Sequence, residues 1–200
     1  MRALLAALVA VGLGGHVVAS SPAPANPNAR VRPMQPLVEK LIATGMGRSA
    51  AFRQLVRQIE GSDVIVYIEA RRDLRSGLGA SMRFIATSAS DRFVKIHLDA
   101  SHNRHVLVAL LGHELQHVVE VAQNRSIRSA EDLRAFYKKL GLRTGPDSYD
   151  SEAARQMGYR VREELLGRPP SDVRMASAGP DRDPALETAS IVGSDTEGRN

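Results

Sequence analysis

From Asn103 to Ala122 the chain holds no proline, and Leu107, Leu110, Leu111, Leu115, Val118 and Ala122 recur at three- and four-residue steps. That spacing commits the stretch to one long helix with an apolar face on the core. Inside it runs His113-Glu114-Leu115-Gln116-His117, and helix geometry stacks positions i and i+4 on the same face. Two imidazoles so placed grip a single metal ion, with the glutamate between them beside it. Burying this helix obliges the fold to satisfy three polar side chains that burial otherwise penalises. Asp99 or Ser101 is positioned to cap its start, and Gln123-Asn124 to end it.

The sequence has no cysteine, which removes thiolate ligands, disulfides and a cysteine nucleophile together. A metal in this chain is therefore held by His, Asp or Glu, and with two histidines in place the expected ion is Zn2+. Hydrophobic residues make up 43% of the chain but aromatic ones only 4%, so the core must come from Val, Leu, Ile and Ala. The net charge of +5 resides in scattered arginines. The densest group, Arg71, Arg72 and Arg75, sits beside Asp73 without interleaved aromatics and reads as a solvated face. No nucleic-acid partner is expected.

Residues 1–25 read as a secretory signal peptide. Arg2 supplies the positive start, Leu4 to Val18 an apolar stretch too short for a stable membrane span, and small residues a cleavage site. The expected destination is secreted or periplasmic. Residues 26–36 read as a proline-rich linker, 37–167 as the folded domain and 168–200 as a disordered tail rich in Pro, Asp, Ser and Arg.

Within the domain, Leu37–Ile42 and Phe52–Ile59 mark two helices, the second starting near Ser49. Val64–Ile68, Met82–Ala86 and Phe93–Leu98 mark three strands, with Ser88–Asp91 a hairpin turn between the last two. Phe93–Leu98 is a candidate edge strand for holding an extended peptide by backbone pairing, or else an ordinary core strand. His97 alternates with Ile96 and is expected to face away from the core. Two further helices are expected over Ala130–Leu140 and Ser151–Leu166, the latter after a loop at Gly145-Pro146-Asp147.

Strands, then a helix bearing His113-Glu114-x-x-His117, then a helix bearing an acid: in this the chain resembles the zincin metallopeptidases, most nearly their gluzincin branch. The resemblance spans about residues 93–166. It implies an α+β zincin-like fold, with a short antiparallel or mixed sheet followed by the motif helix and a supporting C-terminal helix. It also implies zinc-dependent hydrolysis of a peptide or protein substrate, with His113 and His117 on the metal and Glu114 as general base. The metzincin extension is absent, since Glu120 stands three residues after His117 and no histidine follows.

The third metal ligand is the open position. Glu152 is the first choice, followed by Asp150 and then Glu120. Glu120 lies about 10 Å along the axis from His113 and more naturally supports His117. The gluzincin pattern usually places Asp four residues after the ligand glutamate, and Gln156 stands there instead. A donor to the developing oxyanion is sought in Tyr159, with Arg155 and Tyr149 as rivals. His102 and His105 could widen the metal site or simply face solvent. The competing readings are a non-catalytic zinc-binding envelope protein, a degenerate peptidase acting as a binding module, and a metal-free scaffold.

Overall fold

A computed structural model describes residues 28–72, 74, 78–140, 142–145, 148–168 and 189–192. The segment read as a signal peptide, residues 1–25, lies outside them.

The chain opens with β1 (Val31–Pro33), α1 (Pro36–Arg48) and α2 (Ala50–Glu60). Pro36 starts α1, where its missing N–H is no loss. Ser49 then serves both helices. Its N–H donates to the carbonyl of Gly45, ending α1, and its side chain accepts from Phe52 N, starting α2. Three strands follow: β2 (Val64–Arg71), β3 (Ala80–Thr87) and β4 (Arg92–Asp99). Val64, Val66 and Ile68, Ala80 and Met82, and Val94, Ile96 and Leu98 are all fully buried, as period-two alternation requires of a covered face. The motif helix α3 (Arg104–Gln123) packs across that face.

After α3 come α4 (Ala130–Leu140), β5 (Leu142–Gly145), β6 (Ser148–Asp150), α5 (Glu152–Leu165) and β7 (Ala189–Val192). The result is an α+β fold around a seven-stranded mixed sheet of order β1-β2-β4-β3-β7-β6-β5. β2 runs parallel to β4, and β3 is antiparallel to β4 across the Ser88–Asp91 turn, where Ser88 N donates to Asp91 O. No helix among the described residues is long and apolar enough to cross a membrane.

Three expectations need correction. The linker reading fails over Val31–Pro33, which pairs in parallel with β2 through Val31, Arg32 and Pro33. Val31 supplies an apolar side chain worth burying, and an edge strand tolerates a proline. The tail reading fails over Ala189–Val192, whose backbone fills the space between β3 and β6. Finally, β4 is not an edge: β2 and β3 pair along both of its sides, so Phe93–Leu98 has no free backbone for a substrate.

α3 is held at both ends by groups outside its apolar pattern. The start is capped by Asn103, whose side chain accepts from Val106 N, rather than by Asp99 or Ser101. At the other end the buried guanidinium of Arg92 donates to the carbonyls of Val121, Ala122, Asn124 and Ile127. Asp63 pairs with the same guanidinium through both carboxylate oxygens, at 3.0 and 2.7 Å. A cation there satisfies orphan carbonyls and opposes the negative end of the helix dipole.

Candidate metal centre

Helix α3 carries His113 and His117 on its buried face, and both side chains are wholly removed from solvent. The strand-to-helix junction at Asp150–Ser151 brings a carboxylate to them. His113 Nε2 lies 3.2 Å from His117 Nε2, and Asp150 Oδ1 lies 3.2 Å from the first and 3.3 Å from the second. Atoms bound to one tetrahedral zinc at about 2.0–2.1 Å stand about 3.3 Å from one another. The three donors are therefore spaced as three ligands of one such ion would be, and His113, His117 and Asp150 would be the residues to hold it. Among the described residues this is the one group of three His, Cys, Asp or Glu side chains arranged to hold a metal ion.

The first-choice third ligand, Glu152, is not in the group. It occupies the exposed side of α5, where its Oε1 accepts from Gln156 Nε2 at 2.9 Å. Asp150 takes the place instead, because it still belongs to the extended strand β6 while Glu152 already follows helical phase. Asp150 Oδ1 also accepts from Ser151 N at 2.6 Å. Arg155 Nε stands 4.0 Å from its other oxygen. Tyr159 is half-buried against the hydrophobic core, and Tyr149 is buried in β6. His105 faces outward with Arg48 at 3.4 Å, so it does not widen the site. His97 proves buried, 3.6 Å from Glu69, on the sheet face opposite Val94 and Ile96.

Glu120 does what its spacing suggested: its Oε2 lies 3.0 Å from His117 Nδ1, on the far side of the ring from Asp150. An N–H at Nδ1 donating to that carboxylate leaves the Nε2 lone pair directed into the cluster. Two partners of Glu120 were not legible in the sequence. Tyr137, from α4, donates to the same oxygen at 2.5 Å, and Ser151 Oγ donates to Oε1 at 2.6 Å. Glu120 thus ties α3 to α4 and to the start of α5.

The electrostatics follow from burial and pairing. Burial works against a charged His117, yet donation to Asp150 and Glu120 overrides it and pushes the imidazole up to about 10. Burial lowers His113 below its ordinary value, against the pull of Asp150. Burial also works to raise Asp150, but the two imidazoles hold it below the usual carboxylate range. Glu114 differs from all of these. It is fully buried, neither carboxylate oxygen has a hydrogen-bond partner among the described residues, and burial raises it to about 8.

α5 closes the centre from behind by approaching α3 unusually closely. A Cβ on Gly112 would lie 2.8 Å from Val161 Cγ2, and one on Gly158 would lie 3.2 Å from His113 Cβ. A side chain at Gly112 would force Val161 to shift, and one at Gly158 would press on His113.

The chain matches no protein-family model, no curated protein and no solved structure.

Proposed function

We propose that this chain is an exported zinc-dependent hydrolase of peptide bonds, with His113, His117 and Asp150 as the metal-holding residues and Glu114 as general base. The observation that carries the reading is the mutual 3.2–3.3 Å spacing of three ligand atoms beside an unpartnered buried carboxylate. A group of that spacing suits zinc, and a buried glutamate without a partner suits a proton acceptor.

Zinc held there would supply a Lewis acid that polarises the scissile carbonyl and makes water acidic enough to attack near neutral pH. Glu114 would take the proton from that water onto a carboxylate oxygen. It would then return that proton to the leaving amine. Glu120 and Tyr137 orient the His117 ring, and the bond from Ser151 to Glu120 fixes the chain directly after Asp150.

One observation favours a second reading, a zinc-binding protein without catalysis: His113, Glu114 and His117 have no exposed surface at all. The two readings separate on Glu114→Gln. A peptidase keeps about one zinc per chain in this variant and loses roughly 10²–10⁴-fold in hydrolysis. Zinc binding without cleavage of any peptide by the unaltered chain would favour the second reading. Unaltered hydrolysis by Glu114→Gln would overturn the first. Export is tested by the mass of the mature N-terminus.

A further inference from the structure

Arg83 alternates along β3 with Met82 and Phe84, both buried in the core, and so lies on the other face of the sheet. There it stands directly opposite Lys95 of β4, and like charges at such cross-strand positions repel. Lys95 is neutralised, its Nζ 2.7 Å from Glu69 Oε2. Arg83 has no carboxylate partner among the described residues, and its Nε is buried without a hydrogen bond. A partly desolvated, unpaired guanidinium costs stability unless an anion reaches it.

A groove of about 440 Å³ runs from Arg83 and Ile85 to Arg128 and Ser129. That volume lies within the roughly 300–1,000 Å³ of small-ligand sites. The β3 side of the groove is apolar for a specific reason. Phe84 pairs with Val94 and Ala86 with Phe93, so Ile85 is the extra residue of a β-bulge. The bulge takes Ile85 out of the strand alternation and leaves it 48% exposed. From the α4 side, the guanidinium of Arg128 meets only the carbonyl of Ser88, at 3.5 Å, among the described residues. The acid nearest in sequence, Asp132, is turned to the start of α4. It accepts there from Ser129 Oγ at 2.8 Å and from Arg128 N at 3.1 Å. The groove thus joins an exposed aliphatic side chain to two arginines that no carboxylate among the described residues pairs.

We propose that this groove binds a small amphiphilic anion, an oxyanion head group on an aliphatic body, with Arg83 and Arg128 on the head and Ile85 against the body. A planar guanidinium suits carboxylate and phosphate alike, since each offers two oxygens to its fork. An inorganic ion would satisfy the arginines but leave the apolar wall unused. None of the groove residues belongs to the metal centre, so the site stands whether or not the chain hydrolyses peptides.

The test titrates the full chain with octanoate, monooctyl phosphate and inorganic phosphate at fixed ionic strength, below the concentrations at which the octyl compounds form micelles. Calorimetry gives affinity, and the NMR signal of the Arg83 Nε–H reports contact. An octyl compound should bind saturably and shift that signal, and the tighter of the two identifies the head group. Inorganic phosphate should bind more weakly than monooctyl phosphate. Arg83→Gln should lower octyl affinity roughly tenfold or more, as loss of a charge-assisted pair does. The same change removes the repulsion from Lys95, so its melting temperature should hold or rise, which separates lost binding from lost fold. Ile85→Ser should weaken the octyl compounds and leave inorganic phosphate unchanged. Equal octyl affinity in the unaltered chain and in a variant carrying both Arg83→Gln and Arg128→Gln would overturn the proposal. So would an Arg83 signal unmoved at saturation, or inorganic phosphate bound as tightly as monooctyl phosphate.

Discussion

Ser151 Oγ donates to Glu120 Oε1 at 2.6 Å while accepting from Ala154 N at 3.1 Å. One hydroxyl thus starts helix α5 and anchors that start to α3, one residue from Asp150. The position of the carboxylate depends on both bonds. Ser151→Ala should lower stability by about 1–2 kcal/mol through the lost cap. It should also weaken zinc binding roughly 10–100-fold, as removal of a ligand-orienting group does. Thermal melting and competition against a zinc chelator measure the two effects. An unchanged zinc affinity would show that Asp150 is held without the serine.

Asp150→Asn and Glu152→Ala separate the two acids that flank this serine. The first should reduce zinc affinity by more than the roughly 10–100-fold expected for a supporting group. The second should leave it unaltered, because Glu152 faces solvent and Gln156. Titration calorimetry decides between them, and a reversed pattern would restore Glu152 as the ligand.

The metal-free chain should lose melting temperature between pH 6 and pH 9. Glu114 is raised from an ordinary 4.5 to about 8, so the folded state favours its protonated form and stability falls as pH climbs through that window. His117 is raised from 6.5 to about 10, so its contribution is full below 6.5 and fades as pH rises toward 10. His113, lowered by burial, opposes folding only below its ordinary value. Zinc must displace the His117 proton, so uptake should release protons and weaken as pH falls. Calorimetric melting in chelator across this range, and zinc titration in buffers of differing ionisation enthalpy, check both. A flat profile would argue that Glu114 and His117 titrate normally.

Gly112→Ala should destabilise the fold by roughly 1–3 kcal/mol, since the added methyl meets Val161 at 2.8 Å. Pairing it with Val161→Ala should restore part of the loss by opening the space. Denaturant midpoints of the single and double variants measure the coupling.

Arg92→Met should cost roughly 1–3 kcal/mol, chiefly from carbonyls left without a donor. It leaves four carbonyls at the end of α3 without this donor, while Asp63, over a third exposed, stays solvated. Chemical denaturation gives the loss, and hydrogen exchange should show it first at Val121–Ile127.

Relations between near neighbours are legible in the order of residues alone. The motif helix, the i and i+4 placement of His113 and His117, the Ser49 cap, the Ser88–Asp91 turn and the three strands before α3 all follow from periodicity and capping within a few residues. The support of His117 by Glu120 belongs here too, being a relation within one helix. Tertiary structure alone decided the rest. Whether Asp150 or Glu152 meets the imidazoles depends on where β6 ends and α5 begins, because one residue of helical phase turns an inward side chain outward. Tyr137 reaches Glu120 only through the packing of α4 on α3. β7 is a strand only because β3 and β6 offer unpaired backbone to a segment far along the chain. Local spacing encodes which groups share a face. Loop closure and packing between distant segments decide which faces meet, and no short window of sequence contains that information.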